Sequence, residues 1–307
     1  MTHKDFIAAL PENVLAELNR TENAAGLWHL ARHVALILGL AVWIALGWPL
    51  WQFALVAQGV AICFLFTLQH ECTHKTPFAS PALNEWTGRI IGVLILQPFE
   101  WFRYLHLAHH RHTNIPGKDP ELTAGGKPET IWQYIRHVSG LPLWVAMARI
   151  TWDNARGRIQ GDFTPERAKP RLMREAHAML GLYALVVLSL LASPLLFWIW
   201  LLPVLLGQPF LRLYLLAEHG RCPFVADMFL NTLTTYTNHV VRFLAWNMPY
   251  HTEHHTLPMV PFHKLPALNA AMQGHHKVTA PGYGAFNAEY LRSLAADQLP
   301  ARSDGSQ

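Results

Sequence analysis

Residues 33 to 70 read HVALILGLAVWIALGWPLWQFALVAQGVAICFLFTLQH and contain no Asp, Glu, Lys or Arg. One bilayer crossing takes about 20 residues, so this run of about 38 has room for two. The interruption is Gly47-Trp48-Pro49, a turn signal. Spans are therefore expected over roughly Leu30 to Leu46 and Pro49 to Gln69. The pattern recurs from Ala176 to Leu211, another uncharged run broken near Ser193-Pro194. Four spanning helices in two hairpins follow.

The composition agrees. Charged residues make up 14% of the 307 and hydrophobic ones 51%, with 12 Trp, against about 25% charged in an average soluble domain. With the two tight turns outside, all 24 Lys and Arg fall on the other side or at its edge, which the positive-inside rule makes cytoplasmic. Trp48 and Trp51 at one turn and Trp198 and Trp200 near the other suit aromatic anchors at the outer interface. The expected fold is all-α: an integral membrane four-helix bundle with a His-rich cytoplasmic helical cap, forming one membrane-embedded catalytic unit over residues 1–307.

Its parts are an N-terminal cytoplasmic segment (1–26), hairpin one (30–69), a cytoplasmic region (70–175), hairpin two (176–216), a second cytoplasmic region (217–280) and a tail (281–307). The first segment carries Lys4, Asp5, Glu12, Glu17 and Arg20 without an apolar core, unlike a cleavable signal peptide. Its PENVLAELNR reads as a short amphipathic helix outside or on the membrane. GRIIGVLILQPF, from Gly88 to Phe99, is too short to span and is expected to be re-entrant or interfacial. Asp153 to Arg171 reads as a loop, and the tail is expected to be peripheral or partly disordered. A net charge of +4, diffusely spread, suits lipid headgroups and gives no sign of a nucleic-acid partner. Cys63, Cys72 and Cys222 form no CxxC pair, so neither a disulfide framework nor a thiolate metal site is signalled.

The 19 histidines carry the chemistry. His70 and His74, in QHECTHK, stand at i, i+4; His106, His109 and His110, in HLAHH, at i, i+3, i+4; His251, His254 and His255, in HTEHH, repeat that triplet. On helices each set projects from one face. His70-Glu71-x-x-His74 alone matches the HExxH pattern of zinc peptidases, with Glu71 as general base. That reading leaves both triplets unexplained. A metal carrier is a further alternative, against which the spans offer almost no polar residues to line an ion path. One zinc ion takes about four ligands, and eight clustered histidines exceed that, so two ions are expected. Imidazole without thiolate suits an iron pair, with copper or zinc pairs still open.

HECTHK, HLAHHRHTNIPGKDPEL, LLAEHG and NMPYHTEHHTLP together resemble the membrane fatty acid desaturase/hydroxylase superfamily, over about His70 to Pro261. The resemblance implies that His70, His74, His106, His109, His110, His251, His254 and His255 ligate two iron ions. For a ninth ligand His219 is favoured over His239. Possible outer partners are His112, Asp119, His239 and Glu253, with Asn247 a candidate for holding a water near one iron, and no catalytic residue is expected beyond the metal centre. Arg212, near the end of the fourth span, is expected either to anchor an acidic group of the substrate or to snorkel.

The implied activity uses O2 and electrons from an external donor such as a ferredoxin, a rubredoxin or a cytochrome b5-like protein with its reductase. The leading expectation is a desaturase of a fatty acyl or lipid chain. The alternative in the same superfamily is a hydroxylase or ketolase acting on an alkane, fatty acid or carotenoid. The expected location is a multi-pass protein of the bacterial inner membrane, with the histidine boxes and both termini cytoplasmic.

Overall fold

The structure is a computed structural model and describes residues 1–123 and 126–297. Two short helices, α1 (His3–Ala9) and α2 (Glu12–Asn19), precede α3 (Asn23–Ala45) and α4 (Trp51–His74). Next come α5 (Pro81–Leu94), α6 (Phe99–His112), the single turn α7 (Pro120–Thr123), α8 (Ile131–Val138) and α9 (Leu141–Ala155). The second long pair is α10 (Lys169–Leu190) and α11 (Leu202–His219), the latter continuing a π-turn over Phe197–Leu201. The remainder is α12 (Met228–Asn231), β1 (Thr234–Thr235), α13 (His239–Leu244), α14 (His251–Thr256), α15 (Leu265–Ala271), β2 (Thr279–Ala280) and α16 (Tyr283–Asp297). β1 and β2 pair in parallel, Thr234 opposite Thr279.

Four of these helices are long and apolar enough to cross a membrane. The spans run further than the apolar runs alone suggest: α3 begins at Asn23 and α4 continues to His74, because polar residues extend a helix once it is nucleated. The turn between them uses left-handed residues, Gly47 at φ 61° and Leu50 at φ 64°, where glycine is the unstrained choice. At the same end Trp51 packs edge-on to Trp198, 5.6 Å between centroids, so the tips of the two hairpins touch. Trp48 and Trp198 are exposed there. Trp200 departs from the anchor role: its Nε1 donates to the carbonyl of Leu94 at 2.8 Å.

α4 is the buried centre, and its closest neighbour is α11. Gly59 and Gly207 meet at the crossing, where a Cβ on either would overlap the other helix's backbone. α3 and α10 turn apolar side chains outward, among them Leu38, Val42, Leu185 and Leu188, as lipid-facing helices do.

α5 starts at Ser80, whose Oγ accepts from Leu83 N, and buries Asn84, Gly88, Ile91 and Gly92 while exposing Trp86 and Ile90. It ends at Leu94, so the stretch expected as one helix from Gly88 to Phe99 is divided by residues 95–98, with Leu96 at φ 60°. α6 is then locked by a buried ion-pair network. Glu100, fully buried, receives Arg89 at 3.0 Å, Arg103 at 3.2 Å and Arg171 at 2.8 Å. Glu175 of α10 accepts from Arg89 at 3.1 Å and from the Glu100 amide at 2.8 Å. Helices α5, α6 and α10 are tied at one point.

Both chain ends pack more closely than their sequences suggest. Phe6 is buried against Phe229, and His3 Nδ1 lies 2.9 Å from Asp227. In α16, Phe286, Tyr290 and Leu294 recur every four residues and are buried with Tyr134, Leu216 and Leu233. That apolar stripe is the reason residues 283–297 form a docked helix. Residues 298–307 of the expected tail lie outside the described residues.

Candidate metal centre

Four helix segments meet where α4 and α11 end: the last turn of α4, the second half of α6, the C-terminus of α11 and the whole of α14. Their histidines form two groups. His70, His74, His106, His110 and His254 each offer a nitrogen, all within 4.8 Å of one another, and His109, His219 and His255 form a second such set. His251 joins the latter through Nε2, 3.0 Å from His219 Nε2. The groups adjoin, since the rings of His110 and His255 stack at 4.1 Å and 8°.

The outer nitrogens decide which atoms face inward. His109 Nδ1 lies 2.9 Å from Asp119 Oδ2, and His219 Nδ1 lies 3.0 Å from the carbonyl of Asn231. Both partners only accept, so both Nδ1 atoms carry the hydrogen and both Nε2 atoms carry lone pairs. Those Nε2 atoms face each other at 3.2 Å. His251 Nδ1 lies 3.6 Å from the Glu218 carboxylate, near it without a hydrogen bond. Two lone pairs facing each other repel unless a cation lies between them, and imidazole oriented by a carboxylate or carbonyl is the usual form of a metal ligand.

The five-histidine group has its own outer partners. His254 Nδ1 is 3.3 Å from Glu71 Oε1, whose second oxygen accepts from Thr76 at 2.9 Å. His106 Nδ1 is 3.8 Å from Glu121. Both ring nitrogens of His70 are buried without a hydrogen-bond partner among the described residues, and a cation would satisfy one of them.

Burial, reinforced by neighbouring imidazoles, holds His106, His110, His251, His254 and His255 well below the ordinary histidine range. They are neutral at physiological pH, the form that binds metal. His109 differs. Burial lowers it, but the Glu121 and Asp119 carboxylates more than offset that and leave it above its ordinary value.

The sequence candidates separate cleanly in space. His219 stands within the second group, whereas His239 is exposed and its Nδ1 accepts from Arg242 at 2.6 Å. Asp119 reaches a box histidine. Glu253 does not: it is fully buried on the other side of α14, bound to His276 at 2.6 Å and to Thr234 at 2.6 Å. His112 makes no side-chain hydrogen bond to a box histidine among the described residues. Asn247 is a turn residue at φ 57°, donating from Nδ2 to the carbonyl of Phe262 at 3.1 Å. Arg212 donates to His137 at 3.1 Å. Burial and that guanidinium lower His137 to about 3.

Sequence reasoning missed Glu121, Glu218, Thr113 and Asn231 as partners. Thr113 Oγ1 lies 3.2 Å from His255 Nδ1. For Glu71 and Glu218 a signal existed: each is an acidic residue beside a box histidine at the end of an otherwise apolar run, and a buried carboxylate needs a partner.

A model of the family described as "Fatty acid desaturase" matches residues 46–285. Among curated relatives, "Omega-6 fatty acid desaturase, chloroplastic" from Spinacia oleracea is 23% identical over 89% of this chain and 64% of its own length. "Temperature-sensitive sn-2 acyl-lipid omega-3 desaturase (ferredoxin), chloroplastic" from Arabidopsis thaliana is 28% identical over 45% of this chain and 33% of its own. "sn-1 oleoyl-lipid 12-desaturase" from Anabaena variabilis is 24% identical over 94% and 71%. The chain thus spans less than two thirds of the length of the first two relatives. The matched segment contains all nine clustered histidines and three of the four spans, α3 lying just before it, and this membrane protein belongs to the fatty acid desaturase family.

Proposed function

We propose that this chain is an O2-dependent desaturase that introduces a double bond into the acyl chain of a membrane lipid. The observation that carries the reading is the pair of adjoining imidazole groups, five and four strong, with His109 and His219 turned inward by the Asp119 carboxylate and the Asn231 carbonyl. Iron is the metal the donor set and the family support: His70, His74, His106, His110 and His254 would hold one ion, and His109, His219, His251 and His255 the other. When bound, two irons supply O2 activation and the power to take hydrogen atoms from an unactivated C–H bond.

The protein's own residues do the rest. Asp119 and the Asn231 carbonyl keep the outer nitrogens of His109 and His219 protonated and those rings in place, with Glu71 near His254 and Glu218 near His251. Burial keeps the imidazoles neutral and competing water out. Two hydrogens leave the substrate while two electrons and two protons enter from outside, so one O2 becomes two waters. The electrons come from an external donor of the ferredoxin type, as the printed name of the Arabidopsis relative suggests for that enzyme. The histidine end of the bundle faces the cytoplasm, where the Lys and Arg collect.

His70 and His74 share one group with His106, His110 and His254, more imidazoles than the two that the HExxH motif of a zinc peptidase supplies. Expression with a ferredoxin and its reductase, followed by mass spectrometry of the lipids, tests the proposal. Products two mass units lighter than their precursors are expected; a gain of sixteen instead would make the enzyme a hydroxylase.

A further inference from the structure

A groove lies outside the metal centre, between α8 and α9. It encloses about 750 Å³, within the about 300–1,000 Å³ usual for small-ligand sites. Trp132, Ile135, Leu141 and Val145 form its apolar lining, and Arg136 and Arg149 stand among them. The apolar four are conspicuously bare, at 73%, 52%, 63% and 70% exposure. Arg136 has no acidic partner among the described residues, and Arg149 has only Asp153, 3.7 Å from its Nε. Asp153 also accepts from Gln160 at 3.0 Å. Both guanidinium forks are thus open to an anion.

The depth of the groove says what fills it. Moving from the tight turns along α3, α10 and α11, the first charged residues met are Arg32, Glu175 and Arg212, so the hydrocarbon ends near their level. Arg212 bonds His137 of α8 directly. One helical turn further toward the apolar side, Gln208 of α11 packs on Gly140, the residue between α8 and α9. α8 and α9 therefore lie at the boundary of acyl chains and headgroups, where Trp and Arg are the expected pair. A soluble protein partner would have to dock at lipid depth, whereas a phospholipid is already there.

We infer that the α8–α9 groove binds an anionic phospholipid, its acyl chain on Trp132, Ile135, Leu141 and Val145 and its phosphate on Arg136 and Arg149. The site is separate from the histidine groups and does not depend on iron or on desaturation.

The three cysteines are buried, so a Val145→Cys chain can be labelled at that position with a bimane fluorophore, and a Leu185→Cys chain on the lipid-facing side of α10 serves as reference. Each is reconstituted in phosphatidylcholine vesicles containing a low, matched fraction of brominated phosphatidylglycerol or brominated phosphatidylcholine. Quenching at position 145 should favour phosphatidylglycerol at least about threefold, as two basic groups near an anionic lipid require, with a ratio near one at position 185. Adding Arg136→Gln and Arg149→Gln should bring the ratio at 145 to one. Equal quenching by both lipids at 145, quenching by neither, or a preference that survives loss of both arginines would each overturn the proposal.

Discussion

α6 and α14 present histidines at the same i, i+3, i+4 spacing, yet α6 has 14 residues and α14 six. α6 is long enough to keep its own axis, and Glu100 in its first turn is clamped by arginines from three helices. α14 is shorter than an isolated helix can be in water. Two consecutive left-handed residues, Trp246 and Asn247, lead into it, and Glu253 inside its own triplet is bound by His276 and Thr234. One triplet is thus set by helix length and ion pairs at a distance, the other by buried contacts made from within. A spacing motif specifies which atoms converge; it says nothing about what holds the backbone still.

The comparison breaks most severely at the ligands. His109→Ala and His254→Ala, one from each helix and each group, should lower activity more than about 100-fold, beyond the range for outer partners, and each should reduce iron from two per chain toward one. Elemental analysis of the purified membrane protein checks this, and unchanged iron in either variant would remove that residue from the centre. Next in size, Glu100→Ala leaves Arg89, Arg103 and Arg171 without their shared carboxylate and should cost about 3–5 kcal/mol, as breaking a buried pair does. Thermal unfolding in detergent reports it, with Glu253→Gln expected to cost less, about 1–3 kcal/mol, because its hydrogen-bond partners are retained in part.

Asp119→Asn and Glu71→Gln disturb one group each. Chelator competition should show a loss of about 10–100-fold in metal affinity for either; retention of full affinity would mean that the carboxylate does not orient its histidine. A smaller effect is expected at the entry to α14. Asn247→Ala forces a β-carbon without amide compensation into φ 57° and should cost about 1–2 kcal/mol, while Asn247→Gly should recover most of it. If Asn247→Gly restores stability but not activity, Asn247 has a role beyond the turn.

The finest distinction between the groups is in acid. His109 sits above its ordinary value, and His106, His110, His251, His254 and His255 below theirs, so protons compete with metal earliest in the second group. The pH of half-release should therefore be higher for the His254→Ala chain, which keeps the second group, than for His109→Ala, which keeps the first. In the metal-free chain the lowered histidines bind fewer protons folded than unfolded. Their contribution to stability is lost as pH falls through the unfolded value of about 6.5, while that of His109 is lost as pH rises. A melting temperature that rose on acidification would reverse this assignment.

Much of this was legible from the residues. The uncharged runs gave two hairpins because lipid excludes charge, and the three histidine sets gave the centre because helical spacing puts them on one face. The gaps have physical causes. Where α3 begins and α4 ends is decided by packing among polar residues, which leaves no hydropathy edge. Glu71 is near His254 only after the chain has folded back across more than half its length, and Glu218 meets His251 across 33 residues. Glu253 was assigned to the histidines because it lies among them in sequence, but a neighbour on a helix points elsewhere: residues one and two apart do not share a face. His219 is favoured over His239 by its place at the end of the fourth span, and α11 does end at the cluster while His239 of α13 is exposed.

The meeting of His74 with His254 also constrains biosynthesis. From 74 to 254 is 180 residues, and an ion joining the two ends closes that loop, which the chain-entropy estimate for a covalent tie of that length values at about 5 kcal/mol. Neither group is complete before residues 254 and 255 exist. A ribosome that has released only the first hairpin and α6 has made five of the nine histidines, and the first group still lacks His254. A metal ion that needs either complete group would therefore bind only after the second hairpin has been made.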